Sequence, residues 1–417
     1  MKDSLSIRLL VICFIGLACY AASGLVLGLV LERQGRAQEA QKDVADKWGA
    51  HQTFVGPIIV AYYGESHALY ILPESVRYEA VLNPETRSRG IFETVVYNTE
   101  VKVSGEFSTA DIIKAINRTG AYANLSVSIT DTRGTEGQPK ILWNNRTLTF
   151  EPGSNLLAIQ DGAGLHINVP LDRSLQKTTF SFDIKVKGSG GIAFAPVGRE
   201  TTLAVSSPWQ TPSFKGAFLP STRELTASGF KADWKISSFG RSYPQTWTDE
   251  DSQLASVLSS STGVDLYEQV DLYTKIFRSI KYAILFIVIT FGAFFLFEVL
   301  SKVRIHPVQY FFIGAALAIF YLLLLSLAEQ IGFPLAYSAA GGMTATLIAA
   351  YSFYGLGSKR RALPILVMLV ALYGYLYFVL ILEDYALLFG SLLVFALLAT
   401  VMYLTRNIDW FALSRKE

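Results

Sequence analysis

The chain has 417 residues with 36 Lys and Arg against 34 Asp and Glu, a formal net charge of +2. That balance, without a long basic block, excludes a polyanion-binding reading, so nucleic acid is not an expected partner. Cys13 and Cys19 are the two cysteines and both lie in the first apolar stretch, so residues 32–280 carry no thiol and must be held by their own core rather than by disulfides.

Leu9 to Leu31 runs without a charge, preceded by Lys2 and Arg8. A cleaved signal peptide would have an apolar region of about 7 to 15 residues. This longer run reads as an uncleaved transmembrane anchor. Residues 32–280 follow, nearly neutral with 25 Lys and Arg against 27 Asp and Glu. Glu32 to Trp48 has helical spacing at Val44, Ala45 and Trp48, so the anchor is expected to continue as a stalk.

Beyond the stalk, short alternating or β-branched runs recur between turn signals. They are Val55 to Tyr63, Phe92 to Val103, Leu125 to Ile129, Thr147 to Phe150, Leu165 to Val169, Thr178 to Val186, Thr201 to Val205 and Ala232 to Ile236. The pattern predicts a sandwich of antiparallel sheets. Thr179 to Lys187 alternates most regularly, which places Phe180, Phe182, Ile184 and Val186 on one buried face.

From Tyr267 to Ile280 apolar residues recur every three or four positions. The segment reads as an amphipathic helix resting on the β-rich domain, and it enters the next span without Pro or Gly, which predicts one continuous helix. The further spans are Lys281 to Leu300, Val308 to Leu327, Pro334 to Tyr354, Ala362 to Leu382 and Tyr385 to Leu404. Ten Lys and Arg fall at the N terminus, in alternate loops and in the tail, and the other short loops have none. By the positive-inside rule both termini are cytoplasmic and residues 32–280 lie outside.

The expected architecture is therefore a multi-pass α-helical membrane protein with six transmembrane helices. A large all-β, sandwich-like periplasmic domain is inserted between helix 1 and helix 2. The segments are an anchor (1–31), the β-rich domain with helical junctions (32–280), a five-helix bundle (281–405) and a short tail (406–417).

Catalytic signatures are absent or incomplete along the same chain. No GxxxxGK[ST] or HExxH motif occurs, and His51, His67, His166 and His306 are not spaced as metal ligands, so no metal or cofactor is expected. Two SxxK matches, Ser174 with Lys177 and Ser228 with Lys231, lack the SDN and KTG companions of penicillin-binding enzymes. Asn117, Asn124 and Asn145 begin glycosylation acceptor triplets that matter only in a eukaryotic secretory pathway.

The polar residues near the spans are the candidates for function: Glu298, Lys302, Arg304, His306 and Glu329. Charges within a span are costly and often functional. Glu298 would either pair with Lys302, four residues on, or face the bundle interior. Glu329, like Glu383 and Asp384, reads as interfacial. Ser301 to Pro307 resembles Ser358 to Pro364, a hint of a repeat, although basic inner loops ending in proline arise without one.

Val55 to Ile59, Leu72 to Glu74, Arg89 to Phe92, Pro212 to Phe214, Phe218 to Pro220 and Ser228 to Phe230 carry a family resemblance. It continues through Thr274-Lys275, Lys281 to Leu285, Phe294 to Glu298, His306 to Tyr310, Phe320 to Glu329 and Leu404 to Trp410. In this order they resemble the inner membrane protein CreD family of Gram-negative bacteria, nearly end to end. The resemblance implies an inner-membrane protein associated with cell-envelope integrity and induced through a sensor kinase and response regulator, with no agreed catalytic residues. Some relatives carry a longer cytoplasmic tail than the one ending here at Glu417.

Three functions follow as expectations. The first is a non-enzymatic envelope-stress protein whose external domain meets an envelope protein or cell-wall component while the bundle sits in the lipid bilayer. The second is a transporter or channel built on the last five helices, with small residues from Ser338 to Thr346 lining a path or packing tightly. The third is a hydrolase or transferase acting on envelope material, which requires one of the SxxK serines at a helix start near its lysine.

Overall fold

The computed structural model describes residues 5–63, 67–119, 123–156, 159–170, 172–248, 252–266, 272–301, 305–356, 359–382 and 385–406. They form a helical unit, Met1–Ala37 with Val270–Glu417, and a β unit, Gln38–Gln269. In chain order the elements begin with α1 (Leu5–Trp48), β1 (Gln52–Tyr63), β2 (His67–Ile71), β3 (Ser75–Arg89), β4 (Phe92–Ser108), α2 (Thr109–Thr119) and β5 (Ala123–Ile129). Next are β6 (Thr135–Glu136), β7 (Lys140–Trp143), β8 (Arg146–Thr149), β9 (Glu151–Pro152), β10 (Gly164–Asn168), β11 (Lys177–Ser189), β12 (Gly191–Phe194) and β13 (Glu200–Ser207). The β unit closes with β14 (Pro212–Gly216), β15 (Thr222–Thr226), β16 (Gly229–Ser237), β17 (Thr246–Thr248), α3 (Leu254–Ser259) and β18 (Thr262–Leu266). The last helices are α4 (Leu272–Lys281), α5 (Ala283–Ser301), α6 (Pro307–Ile331), α7 (Phe333–Leu356), α8 (Lys359–Ile381) and α9 (Ala386–Thr405).

All eight expected strands are present, and their sheets are mixed rather than wholly antiparallel. One nine-stranded sheet runs β14-β18-β12-β1-β5-β10-β9, with β2 on β1 and β17 on β2; the other runs β15-β16-β13-β3-β4-β11-β7-β8, with β6 on β11. β1 pairs with β12 and β3 with β13 in parallel. Parallel neighbours need long crossover connections, and such a long-range pairing leaves no mark in the local alternation of either strand.

β11 shows how pattern becomes packing. Phe180, Phe182, Ile184 and Val186 are all buried, as the alternation requires, in one core drawn from both sheets. Two tyrosines cross that core and satisfy carbonyls of the opposite sheet: Tyr78 donates to the Gly56 carbonyl at 2.6 Å and Tyr97 to that of Gly191 at 2.7 Å. Burial pushes both phenols well above their ordinary range, so each stays a donor. Phe194 of β12 packs against Tyr78 at 5.1 Å between ring centroids.

Among the described residues five helices are long and apolar enough to cross a membrane, six with the bent pair α4–α5. The expected stalk is continuous with the anchor, since α1 runs unbroken to Trp48. The expected continuous helix into the second span is corrected: α4 ends at Lys281 and α5 begins at Ala283 with a bend of 40°, while residues 267–271 lie outside those described. The apolar spacing crosses this break unchanged, but the other face does not. α4 keeps Lys275, Arg278 and Lys281, whereas α5 carries no charge before Glu298. α4 was also expected to rest on the β-rich domain; its buried residues Tyr273, Ile276, Ser279 and Ile280 belong to a helix packed on α6 and α8.

Removing the Tyr78 hydroxyl alone (Tyr78→Phe) is expected to lower stability by about 1 to 3 kcal/mol by leaving the buried Gly56 carbonyl short of a donor. Phe194→Ala should cost about 3 to 5 kcal/mol. Denaturant melts of the full-length protein followed by tryptophan fluorescence give both values.

Candidate functional site

The face that α1 buries has a simple repeat. Ile12, Gly16, Cys19, Ser23, Val26 and Val30 are buried and alternate four and three apart, the 3.5-residue period of helices packed with a left-handed twist. The middle of this stripe is small, which lets helix backbones approach closely. Gly16 faces Ile287 and Phe291 of α5, and a side chain at Gly314 of α6 would collide with the Cys19 sulfur.

Both ends of the stripe are arginines. Arg8 lies four residues before Ile12 and Arg33 three after Val30. They are 25 residues apart, about 37 Å at the rise of an α-helix, slightly more than the roughly 30 Å of a bilayer's hydrocarbon core. Each meets a glutamate of the bundle.

At one end, Arg8 Nη1 donates to Glu298 Oε1 at 3.2 Å, and the Tyr310 hydroxyl donates to Oε2 at 3.3 Å. The Glu298 side chain is 12% exposed and that of Arg8 28%. Tyr310 is packed by Phe291 and Phe294, at 5.5 and 6.4 Å between centroids. At the other end, the Tyr273 hydroxyl donates to Glu329 Oε1 at 3.0 Å, and Arg33 Nε stands 3.9 Å from the same oxygen. Glu329 is 9% exposed, Arg33 43%. Carboxylates from α5 and α6 are thus each held by an α1 arginine and a tyrosine.

The sequence-derived candidates fare unevenly. Glu298 does turn into the bundle, and its described partner is Arg8; Lys302 and Arg304 lie outside the described residues. Glu329, read as interfacial, is a half-buried acceptor that Tyr273 bonds and Arg33 approaches. His306 caps α6, its Nδ1 accepting from Val308 N at 3.3 Å while Gln309 closes a reciprocal bond to the His306 backbone, so its described role is to start a helix. Glu383, Asp384 and residues 302–304 and 358 of the suspected repeat lie outside the described residues.

Sequence reasoning missed a second polar constellation, at the passage from α1 into β1 in the β unit. Trp48 Nε1 donates to the Tyr97 carbonyl at 3.3 Å, and its ring lies 4.7 Å from the Arg87 guanidinium and 5.1 Å from the Lys187 ammonium. Asp43 pairs with Arg89. Ala50 N donates to Asp131 Oδ2 at 3.1 Å, and Gln52 Nε2 to the carbonyls of Asp131 and Lys187 at 3.1 and 2.7 Å. Gly49, at φ 147°, fits where a side chain would strike the Lys187 carbonyl. His51 Nε2 contacts Asp265 Oδ1 at 3.0 Å and Lys215 reaches its Oδ2 at 2.5 Å.

Two carboxyls of this joint sit below the ordinary carboxylate range. Arg133 bonds hold Asp131 down against partial burial. Burial pushes Asp265 up, and bonds from His51 and Lys215 more than offset it.

The SxxK serines do not meet the requirement of a catalytic serine. Ser174 bonds Asp172 at 2.6 Å while Lys177 pairs with Glu106 at 2.5 Å. Ser228 lies in the turn between β15 and β16 with Thr226 2.9 Å away. Neither begins a helix, so this form of the hydrolase reading is withdrawn. Among the described residues no three His, Cys, Asp or Glu side chains gather as a metal site would need.

The family model described as inner membrane protein CreD matches residues 4–411. The chain belongs to the inner membrane protein CreD family. A relative, inner membrane protein CreD of Escherichia coli (strain K12), is 31% identical over 413 residues, covering 94% of this chain and 90% of that protein. The helices described above are therefore those of a multi-pass inner-membrane protein.

Two measurements follow. In lipid nanodiscs, Arg8→Gln and Glu298→Gln should each lower the unfolding midpoint, and the double variant should lose less than the sum, with a coupling of about 0.5 to 3 kcal/mol. In the β unit, the depressed Asp131 and Asp265 contribute stability above the unfolded carboxyl value of about 3.9. That stability is lost as pH falls through their lower folded values. The melting midpoint should therefore drop steeply in strong acid, and Asp131→Asn should be less stable at neutral pH with a shallower acid drop.

Proposed function

We propose that this chain is a non-enzymatic protein of the inner membrane that supports cell-envelope integrity under stress. In this reading both termini are cytoplasmic, and the β unit lies in the periplasm and meets an envelope component or protein partner. The observation that carries it is the division of the chain: more than half of it forms a sandwich of two nine-stranded sheets, too large an investment for a loop between spans. The bundle supports anchoring more than conduction. Phe291, Phe294 and Tyr310 pack around Glu298, and Phe286, Phe320, Tyr337 and Tyr373 stack together between the helices, with centroids 4.8 to 6.5 Å apart. A small crevice of about 10 Å³ between α5, α8 and α9 is lined by carbon surfaces such as Leu285, Leu376, Val379 and Leu393. It lies toward the Tyr282 end of α5, away from Glu298, and offers an ion no polar path.

The test is deletion of the gene in its host, followed by challenge with detergents, envelope antibiotics and membrane-active toxins. Deleted cells should be sensitised and a plasmid copy should restore them; unchanged resistance overturns the proposal. Impermeant thiol reagents should label a cysteine at exposed Leu225 in intact spheroplasts if the β unit is periplasmic, and labelling only after lysis would reverse the topology.

A further inference from the structure

A hydroxyl buried among membrane helices ordinarily donates to a carbonyl, since hydrocarbon offers it nothing else. Tyr337 follows this rule with the Tyr373 carbonyl at 2.9 Å, and Ser352 with that of Ile348 at 2.7 Å. Tyr321 of α6 and Tyr373 of α8 depart from it. They are 1% and 5% exposed, and neither hydroxyl has a hydrogen-bond partner in the protein. A phenylalanine would fill either place without the cost of a buried unpaired polar group. Two such phenols in one cluster therefore call for a partner that the chain does not supply.

The cluster lies deep in the span. Tyr321 is within electrostatic reach of Tyr373 and Tyr337, and the buried Thr344 of α7 stands beside Tyr373. Gly341, one turn before Thr344, lets the Tyr373 ring lie against α7, because a Cβ there would sit 3.4 Å from its Cδ1. Tyr321, Thr344 and Tyr373 each fall in the middle third of their helix, far from either end of the span. Carbon surrounds them. Phe286 and Phe320 pack on the Tyr373 ring, each at 4.8 Å between centroids, and Phe320 meets the Tyr321 ring at 4.9 Å. A partner in this place must be small, uncharged and able to accept from one hydroxyl while bonding another. Water meets those terms, and a buried water ordinarily makes about three such bonds.

We propose that a single water molecule is bound in the middle of the bundle by the hydroxyls of Tyr321, Tyr373 and Thr344. It ties α6, α7 and α8 together through bonds that none of these helices makes alone. The site does not depend on the envelope role proposed above.

The test uses full-length protein in nanodiscs. X-ray pulses turn ordered waters into hydroxyl radicals that oxidise the side chains touching them, and mass spectrometry reads the rate at each residue. Tyr321 and Tyr373 should be oxidised severalfold faster than Tyr78 and Tyr97, which are also buried but donate to carbonyls. Tyr373→Phe should slow oxidation at Tyr321 severalfold. In dodecyl sulfate titrations from mixed micelles, Tyr321→Phe and Tyr373→Phe should each lower the folded-to-unfolded ratio about fivefold, and the double variant by less than the product. Rates no higher than those of Tyr78 and Tyr97 overturn the proposal. So does a ratio that stays level or rises in the phenylalanine variants, which is the result for a hydroxyl with no partner. Oxidation that spreads to Phe291 and Phe294 overturns it as well, by marking an open aqueous path.

Discussion

The helical unit depends on one constraint: a charge near hydrocarbon must be paired, and the pair must be where the helices put it. Arg8 and Arg33 end the same buried stripe of α1, and Glu298 and Glu329 await them on α5 and α6. Removing two ions from water is expensive, and an apolar pair of the same volume is often as stable. The contribution of the clamps is thus better sought in registry than in net stability. Small residues in the middle of the stripe would let α1 slide or rotate by a position at little cost; an arginine moved by one residue at either end would lose its carboxylate.

The β unit solves a related problem differently. Its interior is apolar, yet it buries the backbone carbonyls of Gly56, where β1 shifts register between Val55 and Ile58, and of Gly191 at the start of β12. Tyr78 and Tyr97 reach across the sandwich to supply the missing donors. Each ring fills core volume while its hydroxyl terminates a polar group, so the same side chains fix the spacing of the sheets and satisfy their defects.

Much of this was legible in the sequence, for a physical reason. Spans and alternating strands follow from burial, and burial leaves a local period, as in Phe180 to Val186 and in Leu9 to Leu31. Partners across space leave none. Arg8 could be counted only as a cytoplasmic charge, and for Glu298 helical spacing offered Lys302 or the bundle interior without pointing to Arg8, because it shows neighbours on the same helix alone. A signal was nevertheless present: Arg33 continues the four-three alternation of Ile12 to Val30 and Arg8 falls within one residue of it, which marks both as facing a neighbour rather than lipid. The parallel pairs of β1 with β12 and β3 with β13 carry no such mark.

The same reasoning explains why the break between α4 and α5 escaped the period. A helix that packs on others keeps its apolar positions in phase whether it bends or not, since Tyr273, Ile276, Ile280, Ala283 and Ile287 are buried on both sides of the bend. What changes is the face that is not buried against protein. On α4 it carries Lys275, Arg278 and Lys281, which must stay with water or headgroups; on α5 it is apolar and can meet lipid. The bend at Tyr282 therefore falls where the surroundings of the outward face change. A membrane boundary is written in the residues a helix leaves uncovered, and the inward stripe that predicts packing is blind to it.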